Sequence, residues 1–499
     1  MKFGPVVLLS AHIDSAGSAM SNDFRRGVVA MTVANSVALV VVAVSYILYS
    51  RLMTPAEFGI YAGALAIAKL GQTVLDGGLK IAIVKHQEPV SPGSFRALFI
   101  GSVSAGVVGA LLLAAAVFTL SALNLLEPGN ALFFAAYGAA YFLTYPFLFI
   151  PLAQLERRQH FAPVAWAEML GVSVEYGLPA FLWLWVAPGF WSFILAAWLG
   201  RCLRTGLVLL ATRDRAWLTR VAAPQWHESR ALLREGFGLQ LAVSLSLLRD
   251  SIHLLLVGPW FGKEWAGLYA WAMQMCAVAS QVFVQTATRV ALPALRLMHG
   301  MDARWKATTT QIAWLTIFTA PPLVFLTDIA GAVNATLFNS QWTVALGILP
   351  FMVIRMLPSL ATTPLGSLVL ADRGARAYAA ANALWTVGEV IMAAIMLWLF
   401  GPIGLAWSLA FMAWLGVASF VHQLAAPARF ASLLPPLLFR PSLWTALALV
   451  AAYRWAVVNH GFGTDLKSIC LYSAGACLFC IATERRCWQV FMPRVLDRA

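Results

Sequence analysis

Apolar stretches of about 20 residues recur from residue 28 to residue 483, separated by short turns rich in Pro, Gly, Arg and Lys. A helix of that length crosses the ~30 Å hydrocarbon core of a bilayer, so each stretch predicts a membrane-spanning helix. Fourteen can be read, to within one or two: 28–50, 58–84, 97–120, 131–153, 161–186, 190–211, 237–257, 266–293, 310–330, 343–371, 376–400, 402–424, 441–458 and 467–483. The second, eighth and tenth are longer than a bilayer needs and are expected to tilt or break.

Polar residues interrupt this pattern at a few places, and those places carry the functional information. Arg249, Asp250 and His253 sit in the middle of the seventh span. A charge at that depth costs roughly 2.5–3.5 kcal/mol on insertion scales, and chains that accept the cost commonly line a polar path with it. Lys69, Asp76, Lys80, Glu168, Glu175, Arg355 and Glu389 also fall inside apolar stretches.

In the second span, Lys69, Gln72, Thr73 and Asp76 share one helical face, and Asp76 and Lys80 stand four apart, a spacing at which they can pair. In the seventh, Arg249 and His253 share a face, whereas the adjacent Arg249 and Asp250 point about 100° apart. Arginine suits bidentate recognition of phosphate or carboxylate; a buried ion pair between two halves of the protein is the structural alternative. Glu168 and Glu175, seven apart in the fifth span, and Glu389 in the eleventh are candidates for exchanging H⁺ or binding Na⁺, or for pairing with Arg249, Arg355 or Lys69. Arg355 shares a face with Ser359 and Thr362 among Pro350, Pro358 and Pro364, which makes the tenth span a hinge candidate. Gln274, Gln281, Gln285 and Thr288 form an uncharged stripe suited to sugar hydroxyls or to helix–helix hydrogen bonds.

Composition narrows the class. Of 499 residues 61% are hydrophobic and 11% charged, with mean hydropathy +0.78. A soluble domain carries about 25% charged residues, so a polytopic membrane protein is expected. The net charge of +13 records topology rather than nucleic-acid binding. With the N-terminus inside, cytoplasmic turns, adjoining span ends and both tails hold 26 of the 34 Lys and Arg, and the opposite side holds Arg51, Lys263, Arg454 and Lys467. That bias predicts two cytoplasmic termini. The six cysteines imply no disulfide framework, and Cys477 with Cys480, inside an apolar helix, reads as packing. No nucleotide-binding or hydrolase motif is present, which argues for a transporter rather than an enzyme.

The expected organisation is a cytoplasmic tail (1–27, of which 1–19 is disordered or an upstream-start artefact), a first membrane lobe (28–211), a basic cytoplasmic linker (212–236), a second lobe (237–424), two further helices (425–483) and a basic cytoplasmic tail (484–499). Phe58-Gly59-Ile60-Tyr61-Ala62 and Ala266-Gly267-Leu268-Tyr269-Ala270 lie 208 residues apart, each after the first span of its half. They suggest two pseudo-symmetric six-helix lobes plus two C-terminal helices, an all-α fold.

Two segments carry a family resemblance. Ser50-Arg51-Leu52-Met53-Thr54-Pro55-Ala56-Glu57-Phe58-Gly59-Ile60-Tyr61 with Leu75-Asp76-Gly77-Gly78-Leu79, and Arg249-Asp250 with the run from Leu256 to Ala270, resemble polysaccharide transporters. These are the Wzx-type flippases of the multidrug/oligosaccharidyl-lipid/polysaccharide exporter superfamily. The resemblance implies a central cavity with alternating access, in the bacterial inner membrane. It implies translocation of an undecaprenyl-diphosphate-linked oligosaccharide for exopolysaccharide or O-antigen synthesis, with polymerase and chain-length or export proteins as partners besides membrane lipids. No cofactor is implied beyond a coupling H⁺ or Na⁺. A xanthan-like cargo is suggested by length and general appearance alone, with no motif behind it. The substrate-binding set would be Lys69, Asp76, Arg249, Asp250, His253, Gln281 and Arg355, and the coupling set Glu175 and Glu389. Family lumens are often net cationic; here four buried bases face five buried acids. A cation-coupled multidrug antiporter of the same superfamily, a membrane polymerase or glycosyltransferase, and a scaffold of the assembly machinery are the alternatives. Exterior loops of about ten residues are short for the enzymes.

Overall fold

The computed structural model describes residues 22–85, 90–158, 160–186, 188–212, 223–298, 300–338, 340–424, 429–460, 466–482 and 484. Among these residues the regular structure is helical throughout, and helices cover all fourteen apolar stretches. They are α1 (Asn22–Leu52), α2 (Pro55–Asp76), α3 (Leu79–Lys85), α4 (Pro92–Ala122), α5 (Pro128–Arg157), α6 (Phe161–Trp185), α7 (Trp191–Ala211), α8 (Trp226–Phe261), α9 (Lys263–Leu297), α10 (Met301–Leu337), α11 (Thr343–Asp372), α12 (Gly374–Gln423), α13 (Leu434–Leu438), α14 (Pro441–His460) and α15 (Leu466–Ala482). Nine described helices are long and apolar enough to cross a membrane, and a bent pair, Ala431–Leu438 with Pro441–Trp455, makes a tenth. The chain is a multi-pass membrane protein. The expected count of fourteen is not reached by that criterion, in part because α12 counts once although Gly401 (φ 63°, ψ −157°) divides it where two spans were read. The tail 1–19, Arg213, Arg215 and Arg220 of the linker, and residues 485–499 with Cys487 lie outside the described residues.

By internal contacts the chain forms two compact units. The larger holds Arg26–Gln274 and Arg373–Leu415; the smaller holds Met275–Asp372 and the described residues up to Arg25 and from Gly416 onward. In the smaller unit α10, α14 and α15 pack around Ala320, Val324, Phe325, Leu443, Ala446 and Cys480, with Cys477 at the edge, all apolar groups in contact. Arg304–Asp372 (3.0 Å), Arg429–Asp302 (2.7 Å) and Arg454–Asp328 (2.7 Å) tie its helix ends. Helix α11 runs continuously through Pro350, Pro358 and Pro364, its Ser359 and Thr362 hydroxyls donating to Arg355 O and Ser359 O at 2.9 Å.

The larger unit explains the two motifs of the first segment physically. Thr54-Pro55-Ala56-Glu57 is a capping box at the start of α2: Thr54 N donates to Glu57 Oε2 at 2.8 Å and Glu57 N donates to Thr54 Oγ1 at 3.3 Å. Such a cap is worth about 0.5–2 kcal/mol, and Pro55 supplies the favoured first-turn residue. Leu75-Asp76-Gly77-Gly78-Leu79 breaks the second span. Gly77 (φ 53°) and Gly78 (φ 74°) take left-handed conformations that a side chain would strain. Asp76 closes the break, accepting from Tyr145 Oη at 2.6 Å. Lys80 bonds Glu156 at 2.8 Å instead of Asp76, because the helix on which a four-residue spacing would apply ends between them.

The internal repeat acquires a contact. Gly59 and Gly267, the two repeat glycines, abut each other where α2 crosses α9. A Cβ on Gly267 would stand 1.7 Å from Pro55 O, and one on Gly59 2.0 Å from Lys263 O. Small residues permit this backbone approach between membrane helices. Beside it, Trp271 Nε1 donates to the buried Ser50 Oγ at 2.9 Å, and Tyr269 Oη donates to Pro402 O. An exposed pair, Lys263–Glu127 at 2.8 Å, lies at the same helix ends. The ammonium hydrogen-bonded to it holds the Glu127 carboxyl below its usual range, so its small stabilisation is present at neutral pH and fades as pH falls through that lowered value. At the other end of the second span, Gly78 and Gly236 make a second backbone contact between segments far apart in sequence.

Candidate functional site

Two buried guanidinium groups, each lying on an aromatic ring, organise the polar interior of the larger unit. The first was legible in the sequence. Arg249, 5% exposed at mid-length in α8, places its Cζ 3.5 Å from the centroid of Trp385 in α12. Its Nη2 donates to Ser246 Oγ at 2.8 Å, and its Nη1 to Asn382 Oδ1 at 3.3 Å. Asp250 reaches Nη2 at 3.5 Å while its side chain stays 54% exposed, so the adjacent pair does meet across one edge. Thr386 Oγ1 donates to Leu245 O at 3.2 Å and fixes α12 against α8. His253, one turn along from Arg249 on the same face, is buried with its ring 6.1 Å from that of Tyr269. Stacking of this kind is worth about 2 kcal/mol or more when desolvated, and it leaves the guanidinium edge available for oxyanions.

The second was missed. Arg201, 7% exposed at the centre of α7, lies with its Cζ 3.1 Å from the Tyr141 centroid. Its Nη1 donates to Gln72 Oε1 at 3.0 Å, and its Nη2 is 3.7 Å from Glu175 Oε1, which also accepts from Tyr141 Oη. One turn further, Arg204 pairs with Glu168 at 3.0 Å. The partners expected for these carboxylates were Arg249, Arg355 or Lys69; the structure gives them Arg201 and Arg204 of the neighbouring helix. Gly171 and Gly200 allow this, because a Cβ at Gly200 would lie 2.7 Å from Gly171 O and 2.8 Å from Glu175 N. The signal was present, since two carboxylates seven apart on α6 face two arginines three apart on α7. The bias of Lys and Arg counts both arginines with the cytoplasmic side, among the 26 of turns, span ends and tails. Arg201 adds a cation to the buried set, and Arg204 beside it is half-buried.

Around this site stands a tyrosine cluster. Tyr46, Tyr49, Tyr61 and Tyr137 are buried, with ring centroids 5.6 Å apart for Tyr49–Tyr61, 6.3 Å for Tyr61–Tyr137 and 5.4 Å for Tyr137–Tyr141. The Tyr137 and Tyr141 hydroxyls approach to 3.4 Å, and Tyr49 Oη donates to Tyr176 O. Lys69 is exposed on α2, one turn from Gln72.

The remaining candidates scatter. Glu389 is fully buried on α12, one turn beyond Trp385 and Thr386. Asp76 serves the helix break. Arg355, 3% exposed, belongs to the smaller unit, as does Gln281, whose side chain lies outside those described.

The chain matches the family model described as polysaccharide biosynthesis protein over residues 48–346. The succinoglycan biosynthesis transport protein ExoT of Rhizobium meliloti (strain 1021) is 26% identical over 318 residues, 61% of this chain and 60% of that protein. The chain thus spans about three fifths of the length of the curated relative it matches. Among solved structures, the lipid II flippase MurJ in an inward closed conformation is similar with TM-score 0.69 at 11% identity, over 93% of this chain and 99% of that one. An inward-facing multidrug resistance MATE family transporter of the MOP superfamily gives TM-score 0.53 at 14% identity, over 81% and 95%. At these identities the structural likeness establishes the fold.

Proposed function

Since the chain belongs to the polysaccharide biosynthesis protein family, we propose that it is a flippase for a lipid-linked oligosaccharide repeat unit, moving an undecaprenyl-diphosphate carrier across the bacterial inner membrane by alternating access. In this reading both termini face the cytoplasm, which the bias of Lys and Arg supports. The observation that carries the reading is Arg249, a buried guanidinium held flat on Trp385 by Ser246 and Asn382. Such a group recognises a diphosphate through charge-assisted hydrogen bonds. A cationic drug would meet repulsion there, which favours the polysaccharide reading over the multidrug antiporter. The lipid tails stay in the bilayer, and Asp250 balances the arginine until the diphosphate arrives. Of the candidate coupling carboxylates, Glu389 is fully buried on the helix that carries Trp385, so uptake or release of H⁺ or Na⁺ there acts on the element that positions Arg249.

Gene deletion with complementation tests this. The deletion strain should accumulate lipid-linked repeat units on the cytoplasmic leaflet and lose surface polymer. The wild-type gene should restore both, and Glu389→Gln should not. Normal polymer in the deletion strain would refute the function; full restoration by Glu389→Gln would refute the coupling assignment alone.

A further inference from the structure

The arginine that the transport reading does not use poses a physical question. Arg201 is more than nine-tenths buried, yet its Nε finds no hydrogen-bond acceptor among the described residues, and its nearest carboxylate oxygen stands at 3.7 Å, beyond hydrogen-bond length. A buried cation left with an unused donor costs stability, and such an orphan donor in a native structure calls for a reason. The site has the same composition as the one at Arg249. Each consists of a guanidinium on an aromatic face, a side-chain amide oxygen that orients it (Gln72 or Asn382) and a carboxylate at the margin (Glu175 or Asp250).

We propose that Arg201, positioned by Gln72 and Tyr141, is a second oxyanion-binding residue, where ligand phosphate or carboxylate oxygens displace Glu175, which the arginine holds only at 3.7 Å. The inference rests on the transport reading for its ligand, which is the diphosphate of the carrier or the carboxylate of an acidic sugar in the repeat unit. The rings of Tyr61, Tyr137 and Tyr141 pack edge to edge beside Arg201 and hold the Tyr141 face under the guanidinium. Glu175 keeps its hydrogen bond from Tyr141 when the arginine turns to the ligand.

The test uses the full chain in lipid nanodiscs and two probes. Farnesyl diphosphate carries the diphosphate without sugar; a glucuronate-containing oligosaccharide carries the carboxylate without diphosphate; a neutral oligosaccharide of equal length is the reference. Binding is read by tryptophan fluorescence. Arg201→Gln should weaken one anionic probe about tenfold or more, as loss of a charge-assisted hydrogen bond does. Glu175→Gln should tighten the same probe severalfold, because the competing carboxylate is gone. A purely structural ion pair gives no such gain, so this arm decides even if Arg201→Gln folds poorly. The probe that responds identifies the source of the oxyanion. If Arg249→Gln abolishes binding of farnesyl diphosphate while Arg201→Gln and Glu175→Gln change neither probe, this inference falls and the transport reading stands. If the wild-type protein binds neither probe, both fall.

Discussion

Replacing Arg249 with alanine is expected to reduce polymer export about 30-fold or more, and replacing it with lysine to recover only a small part. The magnitude follows from what the side chain does. Truncating one partner of a buried, hydrogen-bonded charge pair costs about 2–5 kcal/mol, where 1.4 kcal/mol is a factor of ten. Lysine keeps the charge but not the planar fork, and it cannot lie flat on Trp385 while reaching Ser246 and Asn382 together. The measurement is the initial rate of surface polymer appearance in a deletion strain carrying each variant at equal membrane abundance. Full export by both variants would remove Arg249 from the diphosphate site.

The second large effect is structural. Gly267→Val is expected to unseat the contact with Gly59 and to open the helix seam beside it. The added Cβ would meet Pro55 O at 1.7 Å and Gly59 N at 2.9 Å. Both are backbone atoms, so no rotamer change relieves the overlap and the two helices must part. Overpacking of this kind costs about 1–3 kcal/mol or more. The seam covers Ser50, which is fully buried and bonded to Trp271. In a cysteine-free background, a cysteine at position 50 should react slowly with a membrane-impermeant thiol reagent, and at least tenfold faster once Gly267→Val is added. Unchanged labelling together with an unchanged melting temperature would show that the contact bears no load.

These two sites differ in how far the sequence announced them. Arg249 stands with Asp250 and His253 in the middle of a long apolar window, where a charge is costly enough to draw notice, and its side chain is buried. Arg201 was invisible for the opposite reason: it lies ten residues from a span end rich in arginine, and a tally of topology absorbed it. Only its alignment with Glu175 on the next helix gives it meaning, and that alignment depends on the Gly171–Gly200 crossing. The pairing of Asp76 with Lys80 failed because a four-residue spacing presupposes an unbroken helix, and Gly77-Gly78 break it. The capping box and the repeat glycines were visible as letters. That the glycines touch, 208 residues apart, follows from how α2 and α9 pack rather than from either segment alone.

The central claim is tested most directly with purified protein in liposomes that carry a fluorescent undecaprenyl-diphosphate oligosaccharide in both leaflets. A membrane-impermeant reductant quenches the outer leaflet, and the inner pool is followed over time. The account predicts that the inner pool becomes accessible at a rate proportional to the protein, and that Arg249→Ala slows it to near the protein-free rate. Equal rates with wild-type protein, with the variant and with empty liposomes would contradict it.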